Sequence, residues 1–403
     1  MKRRHTLPLV HDHHSHATLY AAMDGIPDLG GLDAQAAETL LGSLPQDRLS
    51  LVKGWRSDRL KLTAALLGRL PPVLVVNSSL HGYALSPSAL PFVAALWPEF
   101  AERAFDPAWG ERALPDLFVF YGRIAGLSVD KLRRFMKGLE ALGLASVEDM
   151  TVAGSEGLRA IDESGLSGAI RPWATPRVFE GLSQEERVKC AGIKLFLDGS
   201  LGARSAALDE PFLDGSRGLL LYTDEELLAL LSFLAAYRTG LSVHAIGHRA
   251  IGQVIATLRR LRLNGLEFPT VRLEHVQFIS EEQGRAAREL GIALSMQPNF
   301  SADSVDYGDR LCSRHLGENN PFRMLIDRLG FHPGVDLLFG SDGMPHGCAE
   351  ALRCALFPPF EGQRLSEEEY AAGSRDHASS AVNAPTAVAV VDYSSRRVAV
   401  EVR

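Results

Sequence analysis

Cysteine is scarce in this chain: Cys190, Cys312, Cys348 and Cys354 are the only four in 403 residues. None forms a CxxC pair and their spacing fits no disulfide framework, so a reduced, intracellular setting is expected. A basic excess is also missing. Lys and Arg number 42 against 49 Asp and Glu, a net charge of -7, and no basic run is interleaved with aromatics. That balance argues against nucleic acid or an anionic membrane as a partner. Long apolar runs are absent too; no stretch approaches the roughly 18 uninterrupted apolar residues of a membrane helix. The basic start MKRR resembles the opening of a signal peptide, but the apolar stretch behind it spans only residues 7–10. That is too short for the hydrophobic region of such a peptide. A soluble, cytoplasmic protein with a small-molecule substrate is expected, with homo-oligomers left open. No internal repeat or low-complexity segment is visible.

What is present is enough apolar sequence, 46% of the chain, for one large barrel with insertions or for two domains. From residue 169 onward, short apolar runs alternate with helical patterns. The stretches "GIKLFLDG", "LSVHAIG", "TVRLEHVQ", "GIALSMQP" and "VDLLFGSD" are separated by segments such as "TDEELLALLSFLAAYRTG" and "HRAIGQVIATLRRLRLNG". The first of these helical segments has an acidic start and a closing glycine. Continuous apolar runs, without polar alternation, indicate strands buried on both faces, as in parallel sheets. Their alternation with helices implies right-handed βαβ units. With "LPLVHDHH" and "LASVEDM", strands are expected around Val10, Val147, Trp173, Leu195, Val243, Leu273, Leu294 and Leu338. Eight is the number of a (β/α)8 TIM barrel, an α/β fold. The barrel domain is expected over 7–380, with a long, mainly helical cap-like insertion over 20–115 holding at most one short extra strand. The tail 381–403 reads as a short strand pair joined at "YSSR".

Four histidines and one aspartate crowd into residues 11–16, directly after an apolar run. In a strand, residues two apart point the same way, so His14 and His16 project together from the strand's C-terminal end. Other polar residues also close apolar runs: Lys194 in "GIKLFLDG", His244 in "LSVHAIG", His275 in "RLEHVQ" and Asp342 after "LLFGS". In a TIM barrel those ends converge on one mouth, where active sites form. Taken singly, His244 and His275 fit hydrogen-bonded core histidines equally well, and Asp342 fits a helix cap. Lys194 is harder to explain that way, because a bare ammonium within "IKLFL" is costly to bury. It needs a carboxylate partner, a depressed pKa, or carboxylation by CO2 to a carbamate whose two oxygens could bridge two metals. Imidazoles suit zinc, and a bridging anion would hold two ions about 3.5–4 Å apart.

HxH after the first strand, Lys after the fourth, His after the fifth and sixth and Asp after the eighth resemble the binuclear amidohydrolase superfamily. "GIKLFLDGSLGARSAAL", "VHAIGHRA", "RLEHVQ", "SMQPNFSADS", "GSDGMP", "SSLHGYALSPSAL" and "GLASVEDM" resemble the branch that includes N-substituted formamide deformylase. The resemblance runs from about Val10 to Pro345. It implies two divalent metals, by ligand type zinc. His14 and His16 would bind the more buried ion, Lys194 as its CO2 carbamate would bridge, and His244 and His275 would bind the second. Asp342 would bind a metal and move protons as the catalytic residue. His81, Arg204 and Gln297 fall in stretches that line the family's substrate pocket. The activity implied is hydrolysis of a carbon–nitrogen bond other than a peptide bond.

Two departures stand out. Such proteins usually carry a small β-sandwich built from both chain ends, which is expected to be vestigial or absent here. The family's "HAIGD" reads "HAIGH", so His248 replaces an acid; it is expected to face substrate or to orient a ligand rather than to bind metal. Two other readings use the same residues. A mononuclear deaminase on the same barrel would not need the anion at Lys194. A non-catalytic metal-binding descendant would have an eroded ligand set, and all six positions are intact.

Overall fold

The computed structural model describes residues 2–57, 59–77, 80–375 and 386–402. In chain order its strands are β1 (Lys2–Pro8), β2 (Val10–Ser15), β3 (Ser50–Trp55), β4 (Val73–Asn77), β5 (Tyr83–Leu85), β6 (Leu144–Asp149) and β7 (Ile170–Ala174). Then follow β8 (Gly192–Phe196), β9 (Gly240–Ala245), β10 (Val271–His275), β11 (Ala293–Met296), β12 (Leu337–Phe339), β13 (Thr386–Asp392) and β14 (Arg397–Val402). They fall in two compact units, one of Met1–Thr18 with Val129–Arg403, the other of Leu19–Ser128.

In the first unit, eight strands pair in the order β12-β11-β10-β9-β8-β7-β6-β2, every neighbouring pair parallel. The two ends of this order meet. The Asp342 N–H donates to the His14 carbonyl at 2.7 Å, and the Ser341 N–H to Asp12 Oδ1 at 2.8 Å. Gly340 permits the approach, since a Cβ there would stand 2.4 Å from the His14 nitrogen. The result is a nearly closed (β/α)8 barrel, and each of the eight expected strand centres lies in one of its strands. β8 and β9 are buried along their whole length. That explains their unbroken apolar character, and each buried Leu, Ile or Val contributes about 1.5–3 kcal/mol. The connecting helices begin where the sequence places start signals. Thr223 caps the helix Asp224–Ala235 and Ser280 caps Glu281–Glu289, each in a reciprocal capping box with the residue three positions on.

The chain ends meet in one antiparallel sheet of order β1-β13-β14. The β-sandwich was expected to be vestigial or absent; among the described residues the chain ends form this single three-stranded sheet. The tail strands flank residues 393–396, the "YSSR" turn, while the beginning of the tail, 381–385, lies outside the described residues. "LPLVHDHH" reads as one strand, but the ladder of β1 ends at Pro8 and a second begins at Val10, so a separate N-terminal strand precedes β2.

The unit Leu19–Ser128 is less helical than expected. It holds a three-stranded sheet, β3-β4-β5, with β3 and β4 parallel and β4 and β5 antiparallel. "RLKLTAALLGRL" forms only the short helix Ala64–Leu67. Leu29, Leu41, Val52, Leu66, Val73 and Val75 form its core. A second nucleus stacks Phe100 on Trp109 with ring centroids 5.6 Å apart, beside Trp97 and Phe120. Among the described residues, no helix is long and apolar enough to cross a membrane.

Candidate metal centre

Strand periodicity divides the first histidine cluster. His14 and His16 turn toward Asp342: Asp342 Oδ1 stands 3.6 Å from His14 Nε2 and 3.3 Å from His16 Nε2. His11 and His13 turn the other way, toward Glu148, and the His11 ring meets Ser146 Oγ at 2.7 Å. Asp12 serves the closure of the barrel: its carboxylate accepts the Ser341 N–H and hydroxyl and the His14 N–H. Burial raises the Asp12 carboxyl to about 6 against those hydrogen bonds.

His14 lies 4.5 Å from His275, ring centroid to centroid, and His275 lies 4.5 Å from His244. One ligand atom each from His14, His275 and Asp342 falls within 4.8 Å of the others. The five sequence-derived residues His14, His16, His244, His275 and Asp342 therefore form one linked group. His275 closes β10 and Asp342 follows β12, and both have left-handed backbone, φ 70° and 56°. For non-glycine residues this is sparsely populated and costs about 1–3 kcal/mol, which is tolerated where surroundings over-determine it, often at functional sites.

Hydrogen bonds to neighbouring groups hold the imidazoles. Glu274 Oε2 lies 2.6 Å from His14 Nδ1. Burial opposes ionisation of Glu274, but Arg272, His14 and Lys194 together hold it well below the usual carboxylate range. The ionised carboxylate can only accept, so Nδ1 carries the proton and Nε2, facing Asp342, keeps its lone pair. Burial, then the charge of Lys194, lowers His14 to about 4 against Glu274 and Asp342. His244 Nε2 donates to the Gly199 carbonyl at 3.1 Å and stands 3.4 Å from Asp198 Oδ1. His275 Nδ1 meets Gln297 Oε1 at 2.8 Å, and burial with the charges of His244, His14 and Lys194 lowers it well below the ordinary value. His16 Nδ1 lies 2.7 Å from Thr151 Oγ1.

Lys194 sits mid-strand in β8 with no solvent exposure, and its Nζ has no hydrogen-bond partner. The Phe196 ring is 5.1 Å away. Burial lowers its amine to about 7, although Glu274 and Asp342 pull upward.

Among the expected substrate residues, Gln297 is buried behind His275, Arg204 is partly exposed and paired with Asp214 at 3.3 Å, and His81 lies in the Leu19–Ser128 unit against the Phe118 ring. His248 belongs to a separate group with Asp209 and His315.

Sequence reasoning missed the buried ionic scaffold. Arg272 joins Glu148 at 3.1 Å and Glu274, donates to the His13 carbonyl at 3.1 Å, and lies over the Trp173 ring. The signal was available: Arg272-x-Glu274 places two charges on one face of a strand read as buried on both sides, and such charges must pair. Arg272→Ala would strand two buried carboxylates. Unfolding in denaturant should show a loss of about 3–5 kcal/mol; a loss under 1 kcal/mol would mean the scaffold is not needed for stability.

Residues 129–352, more than half the chain, match the family model described as the amidohydrolase family. The chain belongs to the amidohydrolase family. The Bacillus subtilis (strain 168) protein YtcJ is 32% identical over 159 residues, covering 38% of this amidohydrolase and 28% of YtcJ. The Arabidopsis thaliana protein LONG AFTER FAR-RED 3 is 31% identical over 132 residues, 32% of this chain and 22% of that protein. The aligned stretches thus span about a quarter of those relatives. Two solved structures share the fold. The uncharacterized metal-dependent hydrolase from Pyrococcus horikoshii OT3 has a TM-score of 0.65 at 23% identity, covering 93% of this amidohydrolase and 78% of its own chain. The Pyrococcus furiosus counterpart has a TM-score of 0.65 at 22% identity, with 91% and 80% covered.

Proposed function

We propose that this amidohydrolase is a metal-dependent hydrolase of a non-peptide, amide-type carbon–nitrogen bond, of the branch that includes N-substituted formamide deformylase. The observation that carries this reading is the Lys194 amine, fully buried and without a hydrogen-bond partner. It lies where the charges of Glu274 and Asp342 act on it and where its own acts on His14 and His275. A structural lysine would have a partner atom. An amine lowered to about 7 is largely neutral in mildly alkaline solution, and only the neutral amine adds to CO2. That addition forms an N–C bond, releases one proton and leaves a carbamate anion.

The donor set fits two divalent ions. His14 and His16 would hold the more buried one, the Lys194 carbamate would bridge, and His244 and His275 would hold the second, with Asp342 as a further ligand. Zinc suits three or four imidazoles with carboxylate-like oxygens. When bound, the ions would supply Lewis acidity toward a carbonyl oxygen and would acidify water. The chain's own contributions are separate. Glu274 holds the His14 ring, and Gln297 holds His275 while its buried Nε2, which has no hydrogen-bond partner, is left for substrate together with Arg204. Asp342 would take a proton from the attacking water at a carboxylate oxygen and deliver it to the departing nitrogen. All four cysteines are unpaired thiols, which supports action in the reducing cytoplasm.

The test is a panel of amides, formamides and lactams offered to protein expressed with zinc and bicarbonate, with elemental analysis of the same sample. About two ions per chain are expected at this cluster, with turnover of at least one panel class. One ion at saturation and a free Lys194 amine would favour the mononuclear arrangement. No metal and no turnover would end the proposal.

A further inference from the structure

Asp209, His248 and His315 come from three separate segments: the loop after β8, the first residue of the helix His248–Leu263, and the short helix Ser313–Glu318, respectively. One ligand atom of each lies within 4.8 Å of the others. Asp209 Oδ1 is 3.2 Å from His248 Nδ1 and 2.9 Å from His315 Nε2. Two ligands bound to one tetrahedral zinc at about 2 Å stand about 3.3 Å apart, so the two edges need little adjustment.

Hydrogen bonding alone leaves this group incomplete. His248 is more than nine-tenths buried, and its Nδ1 has no hydrogen-bond partner although it faces the Asp209 carboxylate. His315 is fully buried and its Nδ1 is also unpartnered. Burial lowers His248 despite the charges of Asp209 and Glu318, which favours the neutral imidazole. On the other edge of the His248 ring, Glu318 Oε2 stands 3.6 Å from Nε2, the position of a carboxylate that orients a metal-bound imidazole through its second nitrogen. Arg314 grips Asp209 by Oδ2 at 2.9 Å, while Oδ1 faces the two histidines and also accepts the Glu210 N–H at 2.8 Å. It also binds Glu210 and Glu318. Three carboxylates against one guanidinium leave two negative charges when both imidazoles are neutral. A divalent cation would balance them. The Phe278 ring lies 5.7 Å from His248 and 5.5 Å from His315, an apolar wall on one side of the group.

We propose that Asp209, His248 and His315 form a further divalent-cation site, suited to zinc, that staples these three segments together outside the His14–Asp342 cluster. Binding asks His315 to move its proton from Nε2 to Nδ1, so no proton is lost and the number of unpartnered buried atoms does not rise. The proposal departs from the sequence-based expectation that His248 binds no metal. It does not depend on how many ions the barrel mouth holds.

The test compares zinc per chain, after equilibration with excess zinc and gel filtration, in the wild type, His248→Gln and Asp209→Asn, with circular dichroism as a check on folding. Each folded variant should hold about one zinc fewer than the wild type, whatever the wild-type total. Equal counts in all three proteins would overturn the site. An anomalous difference map at the zinc edge, from wild-type crystals grown with zinc, decides the matter without any variant. A peak about 2.0–2.2 Å from His248 Nδ1, His315 Nε2 and Asp209 Oδ1 supports the site, and no peak there refutes it.

Discussion

Lys194→Met should leave a folded protein that no longer retains its barrel metals and no longer turns over substrate. Methionine fills nearly the same buried volume in β8 and carries no amine. The metal-free variant should therefore be at least as stable as the metal-free wild type, because a fully buried, unpartnered amine is removed from an apolar strand. Metal binding should respond in the opposite sense. Losing a group that merely orients a ligand costs about 10–100-fold in metal affinity, and losing the bridging anion itself should cost more than about 100-fold. Lys194→Ala should behave likewise but leave room for a guest. A short carboxylic acid supplied to that variant should restore part of the metal content and part of the rate. The measurements are thermal midpoint with chelator, bound metal after dialysis, and rate with and without the acid. Wild-type metal and rate in both variants would remove Lys194 from the site and return it to the role of an unexplained core lysine.

Asp342→Asn is expected to separate metal binding from turnover. The Asp342 carboxylate stands within 3.6 Å of His14 Nε2 and 3.3 Å of His16 Nε2, and its backbone N–H is fixed on the His14 carbonyl. Asparagine keeps the size, the backbone anchor and one oxygen that can still meet a cation. It cannot accept and return a proton. If Asp342 carries the proton from water to leaving nitrogen, kcat should fall roughly 10²- to 10⁴-fold, the size of a general acid–base contribution, while most of the metal remains. Once the panel has supplied a substrate, kcat and metal content measured on the same preparation settle the point. Near-normal turnover at full metal would exclude Asp342 as the proton carrier.

Most of the barrel and the linked polar group was legible because both depend on short-range pattern. A strand buried on both faces must be continuously apolar, so "GIKLFL" and "LSVHAIG" announce themselves, and a polar residue closing such a run stands out against it. The same pattern failed for Leu19–Ser128. There Ser50–Trp55, partly exposed, and Val73–Asn77, almost wholly buried, are strands of a small sheet, and a stretch with helical spacing, "RLKLTAALLGRL", yields one turn of helix. Local propensity is a weak prior, and tertiary packing overrides it where a segment is short.

The sequence by itself determined which residues could do chemistry: the two-residue spacing of His14 and His16, the charged Lys194 inside an apolar run, and the order of His244, His275 and Asp342 along the strands. The tertiary structure alone decided how those residues are held. Glu274 sets the His14 proton, Gln297 the His275 ring and Gly199 the His244 ring, and Arg272 pairs with Glu274 on its own strand and with Glu148 on β6, far away in sequence. Only folding brought His248 to Asp209 and His315. The physical reason is range. Burial and strand periodicity act over a few neighbouring residues and leave a mark in the order of amino acids. The proton on a buried imidazole and the partner of a buried charge are fixed by atoms within about 3 Å, and those atoms are supplied by distant parts of the chain.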